Sequence, residues 1–270
     1  MDTGIKIYTK ESLIAEFHKI ADMGWVPNAR PGNAGGVGNT LEDLLGIKEN
    51  NLPIPNAAEW ELKAQRKNTS SLTTLFHTEP SPRAIKFVPE IFLKQYGWAH
   101  KEAGKRYPLN EKSFRQTISG NDFSERGFTV VLDFDNRRVQ ISFDASKVAQ
   151  KHHDWLCGIE QTAGLGQLNP QPYWGFDDLA HKAGTKLLNC FYVQAEVKRI
   201  DGLEYFFYND VKLLRKFSFE GFLSQIKTGN ILVDIDARTG HNHGTKFRMR
   251  QNCIDNLYED VINLNSATLL

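Results

Sequence analysis

Between Glu59 and Gln65 the chain alternates without exception, with Trp60, Leu62 and Ala64 set against Glu59, Glu61, Lys63 and Gln65. A period of two sorts side chains onto opposite faces only in an extended strand. This stretch therefore belongs to a sheet with one apolar face and one charged face. At roughly 3.3 Å of rise per residue, Glu61 and Lys63 stand about 6–7 Å apart along the strand, near enough for both to touch one phosphate. The ordinary alternative is a solvated, charge-alternating sheet face, and the ExK tripeptide alone does not decide between the two.

Other segments carry equally clear periods. Leu13, Ile14, Phe17, Ile20 and Ala21 fall at helical spacing after the capping candidates Thr9 and Ser12, and Gly24 stops the pattern. A short helical run, Leu41 to Leu45, follows the glycine-rich stretch Ala29 to Thr40, with Asn39 or Thr40 as its cap. Phe128 to Phe134 and Arg138 to Phe143 read as a hairpin turning at Asp135 and Asn136. Phe176 to Leu187 reads as a helix, Cys190 to Val197 as a strand turning at Asp201-Gly202 onto Tyr205 to Tyr208, and Ser218 to Lys227 as another helix. Ile231 to Ile235 is strand-like, and Ile254, Leu257, Tyr258, Val261 and Ile262 mark a closing helix. Helices and strands mixed in this way predict an α/β fold, a mixed central β-sheet flanked by helices, over 1–270 as a single domain. The Pro-rich stretch Asn169 to Pro172 is a hinge or a loop between its halves.

The chain has 270 residues, 40% of them hydrophobic and 11% aromatic, enough to bury a sizeable core and too apolar for a disordered chain. Cys157, Cys190 and Cys253 form no CxxC pair, so neither a disulfide framework nor a zinc spacing is present. A reducing, cytoplasmic setting follows, and no apolar run approaches the ~20 residues that span a bilayer.

The formal net charge of +1 argues mildly against nucleic-acid binding. Its distribution argues the other way. Arg238 to Arg250 reads RTGHNHGTKFRMR, four cations and two histidines with no acid, and its alternation puts Lys246, Arg248 and Arg250 on one strand face while Phe247 and Met249 pack inward. Arg238, His241, His243, Lys246, Arg248 and Arg250 are thus candidates for contact with double-stranded DNA, Arg reading guanine and His donating to a base acceptor. The competing reading is a solvated basic edge strand. A zinc site at His241 and His243 lacks partners, and the glycine-rich loop lacks the lysine of a phosphate-binding P-loop. His77, His152 and His153 have no evident catalytic partner. Lys86, Lys94, Lys101, Lys105 and Arg106 fit phosphate contacts and plain surface equally well.

The run Gly38 to Gly46 (GNTLEDLLG), followed by Asn50, Pro55, Asn56, Glu61 and Lys63, resembles the MvaI/BcnI restriction endonucleases, and more distantly the MutH mismatch-repair nicking enzyme. Ser71 to Phe76, Gln116 to Asn121, Tyr173 to Asp178 and His241 to Arg248 look like the same family, in order along the chain. The resemblance implies a PD-(D/E)xK restriction endonuclease-like fold with a DNA-binding cleft. Its lobes would be a catalytic one of about 1–125 and a recognition one of about 165–255. It implies a monomeric type II enzyme that cuts a short duplex site, partnered in the cell by a DNA methyltransferase of the same specificity. By the same resemblance Glu61 and Lys63 are the catalytic acid and lysine, Asn56 stands where the family has a metal-binding aspartate, and Glu42 is a helix-borne acid near the metal. Mg²⁺ is the expected cofactor, since phosphodiester hydrolysis needs a hard cation with oxygen ligands. An amide at Asn56 is a weaker ligand than a carboxylate. Either Glu59 or Glu42 compensates, or the metal site is impaired, or the asparagine is an introduced substitution; nicking and binding without cleavage stay open as alternatives.

Overall fold

The computed structural model describes residues 8–33, 35–47 and 60–264. It divides the chain into two compact units built from interleaved segments. Met1–Ser71, Ala183–Ser218 and Asp255–Leu270 form the first, and Leu72–Lys182 with Phe219–Ile254 form the second.

The first unit is organised by a mixed five-stranded sheet. The long hairpin Asn189–Ile200 and Leu203–Phe217 forms its centre, and Val26–Pro27 and Tyr258–Asn263 both pair with the second arm. Glu61–Arg66 lies at the edge, parallel to Asn189–Ile200, with Glu61 opposite Cys190 and Lys63 opposite Tyr192. The parallel pairing fixes which face each residue takes. Leu62, Phe191 and Leu213 turn one way and join a core with Leu13, Phe17 and Ile20 of the helix Lys10–Asp22 and Leu41 and Leu45 of the helix Gly36–Leu45. Glu61 and Lys63 therefore turn the other way. The first helix begins as its sequence dictates, with a capping box between Thr9 and Ser12. The second begins earlier than expected, at Gly36 after Gly35, without a side-chain cap. Its glycines permit this: Gly36 packs against the Asn28 side chain, where a β-carbon would clash.

The second unit has a five-stranded antiparallel sheet, in the order Leu72–His77, His241–Arg250, Ile231–Arg238, Lys112–Ile118, Trp98–Ala99. Beside it lies a three-stranded sheet of Arg126–Asp133, Arg138–Val148 and Tyr173–Gly175. The hairpin expected at Asp135 and Asn136 is present. Phe92, Phe114, Phe128 and Phe143 stack into an aromatic core with ring centroids 5.0–6.2 Å apart, and Phe247 and Met249 are fully buried, as their alternation required. The fold is thus α/β with helices flanking sheets, three of them rather than one.

One element differs in kind. The expected closing helix over Ile254 to Ile262 is a 3-10 turn, Gln251–Leu257, followed by the strand Tyr258–Asn263. Pairing with the open edge of Leu203–Phe217 satisfies this backbone, and tertiary pairing overrides an ambiguous apolar spacing. Among the described residues no helix is long and apolar enough to cross a membrane.

Candidate active site and nucleic-acid interface

On the polar face of the edge strand, the Lys63 ammonium donates to Glu61 Oε1 at 3.1 Å, and both side chains are less than a tenth exposed. Glu61 Oε2 is buried and accepts no hydrogen bond. Lys186, in the last turn of the helix Phe176–Leu187, stands 3.7 Å from it. Burial holds the neighbouring Cys190 thiol protonated, pushing its pKa up to about 12; Lys63 draws it down and Glu61 raises it. The buried Tyr258 hydroxyl, which makes no conventional hydrogen bond, lies beside Cys190 and Glu61 and is pushed well above the usual phenol range, chiefly by desolvation. One carboxylate is thus held between two ammonium groups in a nearly dry setting, where charge interactions are strongly felt.

Glu42 is half-buried on the helix Gly36–Leu45, which packs against the strand of Glu61 and Lys63. Asn50, Pro55, Asn56 and Glu59 lie outside the described residues. Among the described residues no three His, Cys, Asp or Glu side chains gather into a metal cage. The donor that suits a hard cation here is Glu61, whose Oε2 lacks a partner.

The recognition candidates lie in the second unit, on adjacent strands. Lys246 stands across from Asp234 on one side and His77 on the other. Arg248 reaches Asp234 Oδ2 at 3.4 Å and donates to the Leu72 carbonyl at 2.9 Å. Arg250 is exposed, its Nε 3.4 Å from the Gly229 carbonyl. Arg238 pairs with Glu111 at 3.1 Å and covers the Tyr107 ring at 4.7 Å. His241 and His243 are exposed at the hairpin turn, their rings 4.3 Å apart. Glu79 clamps this hairpin through the Thr245 amide at 2.9 Å and hydroxyl at 3.2 Å. The segment is free of acids in sequence only: in the fold Asp234, Glu111 and Glu79 all meet it.

The sequence profile of the MvaI/BcnI restriction endonuclease family matches residues 14–258, nearly the whole chain. The chain belongs to that family. This MvaI/BcnI chain is accordingly a restriction endonuclease, an endodeoxyribonuclease. Two solved structures share its fold at 24% sequence identity. One is a complex of restriction endonuclease MvaI with its cognate DNA substrate, with a TM-score of 0.75 over 95% of this chain and 99% of that one. The other is MvaI in the absence of DNA, with a TM-score of 0.52 over 96% and 99%. No curated protein sequence matches the chain. Sequence reading of this family member missed Lys186, Cys190 and Tyr258, which are far from Glu61 along the chain and carry no local motif.

Proposed function

We propose that this protein is a Mg²⁺-dependent type II restriction endonuclease that hydrolyses phosphodiester bonds at a short, specific site in double-stranded DNA, acting as a monomer beside a methyltransferase of matching specificity. The observation that carries the reading is the Glu61–Lys63 pair, in which a buried carboxylate keeps one oxygen without a hydrogen-bond partner. A lone buried acceptor is costly and seldom retained without a use.

A bound Mg²⁺ neutralises charge developing on the phosphate and acidifies the attacking water. Glu61 would hold it through Oε2, with Asn56 and Glu42 as further oxygen donors. Lys63, fixed by Oε1, would place an ammonium beside the same phosphate, where it orients water or steadies negative charge in the transition state. The strand pair carrying Arg238, His241, His243, Lys246, Arg248 and Arg250 would meet the groove, base-edge contacts giving specificity and phosphate contacts giving affinity.

Incubation with supercoiled plasmid tests this reading. Discrete linear fragments in Mg²⁺ that disappear with a chelator are expected. Nicked circles would favour a MutH-like nicking enzyme, and tight binding to one sequence without any cut would favour a site impaired at Asn56.

A further inference from the structure

The two oxygens of Glu61 meet different surroundings. Oε1 accepts from Lys63, on the same strand. Oε2 has almost no solvent access and no hydrogen bond, and the cation it faces is the Lys186 ammonium, 3.7 Å away. Glu61 is held by parallel pairing of its strand against Cys190, whereas the Lys186 ammonium ends a flexible four-carbon stem whose side chain is 16% exposed. Lys186 is therefore the member of the pair able to move. A dication bound at Oε2 would satisfy the lone oxygen, and a monovalent ammonium at this distance would repel that dication.

We propose that Lys186 is a positioning residue that acts through Glu61. It is the resident counter-ion of Oε2, must move aside for a divalent cation to bind there, and so sets the cation concentration at which the site fills. The proposal rests on the reading of Glu61 as a metal ligand. The two lysines then have separate tasks. Lys63 stays on Oε1 whether or not the cation is bound, and Lys186 exchanges with the cation at Oε2.

Binding of Mn²⁺ to the DNA-free protein, followed by the electron paramagnetic resonance signal of free Mn²⁺, tests the exchange. Lys186→Met keeps the apolar stem and removes the charge; it should bind Mn²⁺ on the order of tenfold more tightly than the unaltered protein. Lys186→Arg, which keeps the charge, should bind like the unaltered protein, and Glu61→Gln should lose the site. Should the Met variant fail to fold, Lys186→Gln carries the same measurement. Unchanged or weaker Mn²⁺ binding on loss of the charge overturns the proposal, as does equal tightening by Arg and Met. Unchanged Mn²⁺ affinity with weakened duplex binding makes Lys186 a phosphate contact and overturns it too. If Glu61→Gln instead keeps full Mn²⁺ affinity, the assignment of Glu61 as metal ligand fails, and the role of Lys186 fails with it.

Discussion

Arg248 turns its guanidinium onto Asp234, Nη1 lying 3.4 Å from Oδ2, while Nη2 donates to the Leu72 carbonyl at 2.9 Å. A guanidinium held this way by its own sheet is pre-oriented, and its remaining donors are aimed rather than mobile. If it pairs with a guanine, Arg248→Ala should weaken binding to the cognate duplex by about 1–3 kcal/mol and to random duplex far less. Affinities for both, measured at one fixed salt concentration, check this. Equal losses would make Arg248 a backbone contact, and base reading would then be sought in the loop Gln116 to Asn121.

The strand of Glu61 and Lys63, the first helix with its capping box, the Asp135-Asn136 hairpin and the inward packing of Phe247 and Met249 were all legible, because each follows from local periodicity or turn chemistry. The strand at Tyr258–Asn263 was not, since its apolar spacing fits a helix and only a distant edge decides the matter. The candidate site was half legible. Glu61 and Lys63 stand two residues apart, but Lys186 reaches Glu61 by tertiary folding alone. The same folding brings Asp234 and Glu111 to a segment that looks purely basic when written out.

Replacing Asn56 with Asp should raise the cleavage rate in Mg²⁺, because a charged oxygen holds a hard cation better than an amide does. If Glu42 already supplies that charge, Asn56→Asp changes little and Glu42→Gln raises the Mg²⁺ concentration needed for half-maximal rate. A Mg²⁺ titration of the two variants separates these cases.

Glu204 accepts from Arg66 through both oxygens, at 3.1 and 2.8 Å, and from Asn28 at 2.9 Å. The Arg66 hydrogen bonds are the largest cause holding its carboxyl below the usual range. A depressed carboxylate contributes stability above its unfolded pKa and loses it as pH falls through the folded value. Glu204→Gln should therefore be less stable than the unaltered protein near neutrality, with the difference shrinking as the pH falls below about 4. Denaturant midpoints across that range would show it, and a difference independent of pH would contradict it.

Phe247 is fully buried, with ring centroids 5.1–5.7 Å from those of Trp174, Phe76 and Phe222. Phe247→Ala opens a cavity that these rings cannot close and should cost about 3–5 kcal/mol. Urea unfolding followed by tryptophan fluorescence should register the loss, and an unchanged midpoint would contradict the packing described.

The most direct measurement of the catalytic assignment compares cleavage with binding in the same variants. Glu61→Ala and Lys63→Ala are each expected to lower the single-turnover cleavage rate of a cognate duplex in Mg²⁺ by about 10²-fold or more. The affinity for that duplex should stay within a few-fold of the unaltered protein. Full-rate cleavage by either variant, or loss of cleavage only in proportion to lost binding, would contradict the placement of the chemistry at the Glu61–Lys63 pair.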